Sequence, residues 1–121
     1  MIKKKPTTDA LLTEILHQLS EIKAKDITIM DMREIDGAVC SYFILCTGGS
    51  TTHVRSIAGA VQKEVSRSLK EHPWHVEGEG ASTWVLIDYA DIVVHVFEEH
   101  TRAFYDIESL WGDARITHLE D

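Results

Sequence analysis

The segment most like a catalytic loop is Gly48-Gly49-Ser50, which follows an apolar run at residues 42–46 and precedes a stretch with helical spacing. Free backbone N–H groups at the start of a helix can bind a phosphate. Nucleotidyltransferases carry a Gly-Ser pair at such a place, and they also need a close pair of carboxylates, about ten residues later, to hold divalent ions. Here residues 58–63 occupy that interval and include no acid. The sequence therefore lacks half of this catalytic pattern.

Two acids further along the chain, Asp88 and Asp91, are the nearest substitutes for the missing pair. They flank a predicted hairpin turn instead of sharing one strand face, so we do not expect them to form a two-metal site. In the simpler interpretation, Gly48 and Gly49 permit a tight turn, and Ser50 caps the helix that follows. Nucleotidyl transfer is the enzymatic alternative.

The seven histidines do not form a recognisable metal-binding pattern. Only His72 and His75 are close together, Pro73 and Trp74 between them favour a turn, and no third ligand has a matching spacing. His95 lies within a predicted strand, where it is either a satisfied core histidine or a ligand, and the core interpretation is favoured. We expect no metal. Because no Walker-type loop or nucleophile elbow is present, we also expect no cofactor and no covalent catalysis.

The two cysteines, Cys40 and Cys46, are six residues apart in the sequence. If one strand contained both, their Cα atoms would be ~20 Å apart, well beyond the reach of a disulfide. Both are therefore predicted to be packed thiols in a reducing compartment.

The best candidate for a recognition surface is the hairpin that carries Trp84, Asp88, Tyr89 and Asp91. Trp and Tyr offer large, rigid contact areas and are enriched at binding hot spots, while neighbouring acids favour a basic partner. The alternative is that Trp84 is simply a core residue and that residues 88–91 form an ordinary polar turn. The residues alone leave both interpretations open.

Length and charge limit the classes of function. With 121 residues, of which 44% are hydrophobic, the chain is predicted to form one domain. Twenty acids against twelve Lys and Arg give a net charge of −8, which disfavours direct, sequence-specific binding to nucleic acid and favours a basic protein partner. No apolar run approaches the ~20 residues of a membrane span and no secretion signal is evident, so we expect a cytoplasmic protein without membrane contact.

The elements that would position these residues follow from hydrophobic spacing and turn signals. In chain order they are helix 8–24, strand 27–32, strand 42–46, helix 54–69, strand 74–77, an antiparallel hairpin of strands 84–88 and 91–97, and a short helix with Phe104, Ile107, Leu110 and Trp111 on one apolar face. Residues 113–121 are predicted to be a loosely held polar tail, which leaves a core of about 8–112. Together these elements predict an α/β domain with a mixed sheet of about five strands flanked by helices.

Several of these segments together resemble the Iojap family of ribosomal silencing factors. The resemblance extends from about residue 9 to residue 114. It rests on Lys25-Asp26-Ile27, Tyr42-Phe43-Ile44, Gly48 with Ser50, Glu77-Gly78, the run from Trp84 to Tyr89, the run from Asp91 to Phe97, Arg102, Tyr105, Glu108 and Leu110-Trp111. The family usually has an Asp where this chain has Ser41, and this chain has an extended Lys-rich start. The long, ordered hairpin segments make the resemblance specific.

The resemblance implies a nucleotidyltransferase-like fold without the catalytic acids, a homodimer, and no enzymatic activity. It also implies that the partner is the large ribosomal subunit, contacted through a basic ribosomal protein, number fourteen of that subunit. Binding there would block association with the small subunit and repress translation when nutrients are scarce. On this view Trp84 and Tyr89 are apolar anchors, while Asp88, Asp91 and Glu77 contact Lys or Arg of the ribosomal protein. A dimeric adaptor unrelated to ribosomes is the other non-enzymatic alternative.

Overall fold

The structure, a computed structural model, describes residues 6–119. Its elements are, in chain order, α1 (Thr8–Glu21), β1 (Lys25–Asp31), β2 (Tyr42–Gly48), α2 (Thr51–Leu69), β3 (His75–Glu77), β4 (Trp84–Asp88), β5 (Ile92–Glu98), α3 (Glu99–Tyr105), α4 (Ile107–Leu110) and β6 (Arg115–His118). Among these residues, no helix has the length and apolar character needed to cross a lipid bilayer. The Lys-rich start at residues 3–5 lies outside the described part of the chain.

Six strands form one mixed sheet within residues 6–119, in the order β3-β4-β5-β2-β1-β6. β2 and β5 are parallel, and every other neighbouring pair is antiparallel. All seven residues of β2 are buried, as expected for a central strand whose apolar run shows no alternation. The predicted α/β class, a mixed sheet with flanking helices, is confirmed.

The sixth strand lies in the segment that the sequence predicts to be a polar tail. β6 pairs antiparallel with β1, with Met30 opposite Ile116. The Leu119 N–H extends this pairing by donating to the Ile27 carbonyl at 2.9 Å. The expectation of a loose tail is therefore wrong for residues 115–118, because backbone pairing holds a segment that has no clear apolar pattern. Residues 120 and 121 lie outside the described part.

α1 begins where capping chemistry predicts and ends at Glu21 instead of residue 24. The side-chain oxygen of Thr7 accepts the Ala10 N–H at 3.0 Å, which satisfies one free donor of the first turn. Lys23 has a left-handed conformation, with φ of 60°, and this stops the helix and turns the chain into β1. The buried residues of α1 recur at every fourth position: Leu11, Ile15 and Leu19.

α2 leads from the central strand to the edge of the sheet. Ser50 is its N-cap, as predicted, because its Oγ accepts the His53 N–H at 3.1 Å. β3 runs in the same direction as β2 but lies at the far edge, with β5 and β4 between them. The crossover through α2 therefore spans two intervening strands.

The two faces of the sheet are covered differently. α1 and α2 pack on one face, here called the helix face, whose buried side chains include Ile44 and Val94. The opposite face, here called the open face, is covered in its middle by α4 and by the loop after β1, through residues such as Ile107 and Ile35. The part of the open face that belongs to β3 and β4 is half-buried or exposed.

Candidate functional site

Three of the five predicted binding residues lie together on the open face. β4 and β5 form the predicted antiparallel hairpin. Trp84, Leu86 and Asp88 are the half-buried positions that alternate along β4, so they point to one side. Glu77 is opposite Leu86 in the pairing of β3 with β4, and opposite residues share a face. Glu77, Trp84 and Asp88 therefore belong to one surface.

Tyr89 and Asp91 are not part of that surface. Tyr89 is 3% exposed and packs with Ile87 in the core of the helix face, where burial raises the pKa of its hydroxyl above the ordinary range. Asp91 is exposed at the turn between β4 and β5, and its carboxylate accepts the Thr8 hydroxyl at 3.2 Å. The prediction that Tyr89 is an exposed anchor is therefore wrong, because an odd separation from Trp84 along the strand places the two rings on opposite faces.

Trp84 connects the interior of the open face to its surface. Its indole N–H donates to His95 Nδ1 at 3.1 Å, and its ring stacks on Phe97 with 5.0 Å between centroids. On the outer side, the centroid of the Tyr105 ring from α3 lies 4.7 Å from the centroid of the Trp84 ring. Trp84 is thus a half-buried residue that packs on the core and contacts an exposed aromatic ring, and its role in an interface stays a prediction.

His95 lies in the core, as the favoured interpretation expects, but it is not fully satisfied, because its buried Nε2 has no hydrogen-bond partner among the described residues. It is 4% exposed, and burial lowers its pKa to about 4, so the ring is neutral near pH 7. Because Nδ1 accepts the Trp84 indole N–H, the ring hydrogen is on Nε2. Phe43 packs edge-on against the ring at 4.8 Å. Within residues 6–119, no group of three or more His, Cys, Asp or Glu is placed to hold a metal ion.

The two acids of the open face have local partners that leave them accessible. Asp88 Oδ1 accepts the Ala90 N–H at 2.7 Å and so shapes the hairpin turn. Glu77 is in contact with His75, with 2.8 Å between Nε2 and Oε1, and both side chains are more than half exposed. Exposed contacts of this kind add little to stability. Both carboxylates are therefore available to a basic partner.

Sequence reasoning missed an apolar patch on α3 and α4. Phe104 is 78% exposed and Leu110 is 71% exposed, and Tyr105 between them is half-exposed. Phe104 and Tyr105 are in edge contact at 5.0 Å, and Tyr105 reaches Trp84. The α3 part of the patch, Phe104 and Tyr105, is thus continuous with the hairpin, and contiguous exposed apolar side chains typically mark an interaction site.

The sequence did not predict this patch because the segment expected to be one short helix is divided into two. Asp106 has a left-handed conformation, with φ of 45°, and divides the segment into α3 and α4. The change of direction buries Ile107 while Phe104 and Leu110 point outward. The prediction of one apolar face for these residues is therefore wrong. An Asp between two apolar pairs was the available signal, since Asp favours such a conformation.

The surroundings of this patch are acidic. Residues 98–113 contain five acids, and Arg102 is the single Lys or Arg in that segment. The Arg102 side chain is only 13% exposed because it points towards the sheet. An exposed apolar patch on an acidic background is complementary to a basic protein surface that carries apolar groups of its own.

The sequence as a whole matches one protein family. Residues 5–121 match the family described as ribosomal silencing factor during starvation. The chain belongs to the ribosomal silencing factor family. The predicted resemblance to this family is thereby confirmed.

Individual relatives show how far the likeness extends. The chain is 36% identical over 110 residues to ribosomal silencing factor RsfS of Halalkalibacterium halodurans, covering 91% of this chain and 92% of the relative. A crystal structure of a Chromobacterium violaceum protein superposes with a TM-score of 0.83 at 29% identity, covering 96% and 95% of the two chains. A mouse protein named mitochondrial assembly of ribosomal large subunit protein 1 is 28% identical over 99 residues, which are 77% of this chain and 41% of the mouse protein.

The loop Gly48-Gly49-Ser50 is satisfied by hydrogen bonds with the helix that follows it. The Gly49 N–H donates to His53 Nδ1 at 3.0 Å, and the His53 N–H donates to Ser50 Oγ at 3.1 Å. A Cβ at Gly48 would lie 2.9 Å from the Val54 backbone nitrogen, so the close approach of loop and helix requires glycine. These contacts confirm the turn-and-cap interpretation of the loop.

The acids considered for a metal site lie at the other end of the sheet from this loop. The loop follows the last residue of β2, whereas Asp88 and Asp91 are level with its first residues, because Tyr42 is opposite Ile92. A seven-residue strand separates the two places by roughly 20 Å. Asp88 and Asp91 therefore do not complete a nucleotidyltransferase site.

Both cysteines are packed thiols, as predicted. Cys46 is fully buried in β2, and burial raises its pKa to about 12. Cys40 is half-buried; burial raises its pKa to about 11, and its Sγ lies 3.3 Å from the Tyr42 carbonyl, to which the thiol donates. Thiols that remain protonated at neutral pH are poor nucleophiles.

Proposed function

We propose that this protein binds the large ribosomal subunit and prevents the small subunit from joining it, so that translation is repressed when nutrients are limiting. The observation that carries the proposal is the continuous surface formed by the hairpin and by α3 and α4, in a chain of the ribosomal silencing factor family. The direct partner is a basic ribosomal protein, number fourteen of the large subunit. The protein acts in the cytoplasm, as a homodimer.

The surface divides into apolar anchors and an acidic rim. Phe104, Tyr105 and Leu110 are exposed, and Tyr105 is supported from below by Trp84. These side chains supply the apolar centre of the contact, since buried aromatic residues dominate binding energy at interfaces. Glu77 and Asp88 line the hairpin side of this surface, Asp91 is exposed at the adjacent turn, and these acids meet Lys or Arg of the ribosomal protein.

Silencing by this route requires no chemistry. A protein that binds only the separated large subunit shifts the joining equilibrium by ~2.7 kcal/mol when its concentration is a hundred times its dissociation constant. Two observations support a binding role. The loop Gly48-Gly49-Ser50 forms hydrogen bonds with its own helix, and the acids considered for a metal site lie at the opposite end of the sheet. The name of the mouse relative, which refers to large-subunit assembly, supports the large subunit as the partner.

Charge reversal on the hairpin tests the proposed contact. The variant Asp88→Lys with Asp91→Lys should fail to co-sediment with purified large subunits and should no longer reduce the fraction of joined ribosomes. The matched control, Glu21→Lys with Glu64→Lys, changes the net charge equally but on α1 and α2, and it should bind like the wild type. Circular dichroism and thermal melting establish that both variants are folded.

Equal binding by the hairpin variant and its control would contradict the proposed interface. A wild-type protein that stays at the top of the gradient and leaves subunit joining unaffected would contradict the function itself. Sedimentation equilibrium of the free protein tests the homodimer separately.

A further inference from the structure

α3 is attached to the sheet without a buried residue of its own. A surface helix is normally held by an apolar stripe that faces the core. In α3 the largest apolar side chain, Phe104, points to solvent. At its N-terminus the Glu98 carboxylate accepts the His100 N–H at 2.9 Å, which fixes the first turn but not the direction of the rest. Other contacts must therefore hold the helix.

The side chain of Arg102 supplies these contacts. Its guanidinium donates to the Asp26 carbonyl at 2.6 Å, to Thr28 Oγ1 at 2.9 Å and to Thr47 Oγ1 at 3.0 Å. It also lies 3.4 Å from the Glu108 carboxylate of α4. The planar fork of a guanidinium can bind several acceptors at once, which a lysine ammonium on a flexible stem does less well. One side chain thus joins α3 to two strands and to the next helix.

The acceptors of Arg102 are arranged by a bulge in β1. The register of β1 on β2 shifts between Lys25 and Thr28, and Asp26, with φ of 49°, has no partner in that pairing. Its carbonyl accepts from Arg102 instead. Thr28 and Thr47 are buried on the open face, and the Thr28 hydroxyl is also 3.2 Å from the Asp26 carbonyl, to which it donates, and 3.1 Å from His118 Nδ1. The neighbouring ends of β1 and β2 thus present several oxygens that Arg102 joins.

Arg102 and Tyr105 are linked by the geometry of α3. They are three residues apart, so they lie on the same side of the helix and point towards the sheet. Arg102 contacts β1 and β2, while Tyr105 rests on Trp84 of β4. With both side chains fixed, Phe104 is turned outward. The direction of α3, and hence the shape of the apolar patch, depends on these two contacts.

We propose that Arg102 is a positioning residue for the binding surface: its hydrogen bonds to the ends of β1 and β2 hold α3 in the orientation that places Tyr105 on Trp84 and exposes Phe104. The link to partner binding rests on the proposed function. The orientation of α3 is a property of the free protein and can be measured without the ribosome.

The variant Arg102→Lys keeps the positive charge and removes the fork. Loss of two or more charged hydrogen bonds should speed amide hydrogen exchange in α3 by about tenfold or more. Affinity for the large subunit should fall by about tenfold, because binding must then reorder the helix. The control Arg67→Lys, which changes an arginine paired with Glu64 on the outer side of α2, should alter neither quantity.

Chemical rescue separates positioning from a general loss of structure. Two open cavities of about 380 and 400 Å³ flank Arg102, so a small cation can reach its place. In Arg102→Ala, methylguanidinium at a concentration too low to denature should restore exchange protection in α3 and affinity, whereas methylammonium should not. If Arg102→Ala does not fold, Thr47→Val removes one acceptor and should give a smaller effect in the same direction as Arg102→Lys.

Unchanged exchange in α3 of Arg102→Lys would overturn the proposal, and so would faster exchange with unchanged affinity. If the wild-type protein does not bind the large subunit, the proposed function fails. In that case the exchange data and the methylguanidinium rescue of α3 protection still decide whether Arg102 holds the helix.

Discussion

The helix face and the open face of the same sheet are built from different kinds of residue. The helix face is closed by α1 and α2 over fully buried aliphatic side chains such as Ile57 and Ile87. The open face also has buried apolar side chains, such as Leu45 and Phe97, but it buries polar groups, including Thr28 and His95, and leaves Trp84 half-exposed. We therefore expect stability to depend more on the helix face, and we propose that partner recognition belongs to the open face. Substitutions on the two faces should have separable effects, and each of the following measurements tests that separation.

The largest effect is expected on the helix face. Ile57→Ala removes a fully buried side chain of α2 that packs on the sheet. The free energy of unfolding should fall by about 4 kcal/mol, because the transfer energy of the lost atoms and the cavity left behind add up. Urea denaturation measures this value. Affinity for the large subunit should be unchanged at temperatures where the variant is folded.

Leu86→Ala is the comparison on the less covered part of the open face. Leu86 is half-buried, so its removal should lower the free energy of unfolding by only about 1 kcal/mol. Equal losses for the two variants would show that stability is shared between the faces and would contradict the comparison.

The next effect concerns acid and the buried histidine of the open face. The pKa of His95 is about 4 in the folded protein, below its ordinary 6.5, so the unfolded chain takes up a proton first as the pH falls. As the pH falls from 6.5 to 4, the free energy of unfolding of the wild type should decrease by about 3 kcal/mol because of His95. At pH 7 and above, this histidine is neutral in both the folded and the unfolded chain and causes no loss. His95→Gln should lack this loss.

Urea denaturation of wild type and His95→Gln at several pH values measures the difference between their slopes. The exposed histidines are common to both proteins and cancel. Parallel pH profiles would mean that burial does not hold His95 neutral. The comparison of the two faces would then lose one of its buried polar groups.

The smallest effect on stability, but a clear effect on binding, is expected for Phe104→Ala. Phe104 is largely exposed, so the free energy of unfolding should change by less than about 0.5 kcal/mol. Affinity for the large subunit should fall by about tenfold, as for an aromatic anchor at an interface. Co-sedimentation at several protein concentrations measures it, with Lys63→Ala on α2 as a control. Unchanged affinity would remove α3 from the binding surface.

The helix face could be predicted from the sequence almost completely. Its elements have clear local signals. These are the apolar residues at every fourth position from Leu11 to Leu19, the Ser50 N-cap, and the apolar run at the centre of β2. Each of these signals lies within a few residues of the element it specifies. The mixed sheet followed from the order of the elements.

The open face could be predicted only in part, because its signals were weaker or lay far apart. Trp84 and Tyr89 point to opposite faces, but the run from Trp84 to Ile87 is uniformly apolar, so the sequence shows no alternation that would separate them. β6 forms by pairing with β1, which is far away in the sequence, and no pattern within Arg115–His118 predicts a strand. The outward turn of Phe104 depends on the conformation of one residue, Asp106.

The single parallel pair within the described sheet also has a consequence for how quickly the protein reaches its native state. β4 and β5 are joined by a three-residue turn, residues 89–91, so this hairpin can form early and without waiting for distant segments. β2 and β5 are separated in the chain by α2, β3 and β4, so their pairing must close a long loop. Closing such long loops before any contact stabilises them slows folding. The step that places the most buried strand should therefore be late and rate-limiting, with the hairpin as the earlier template.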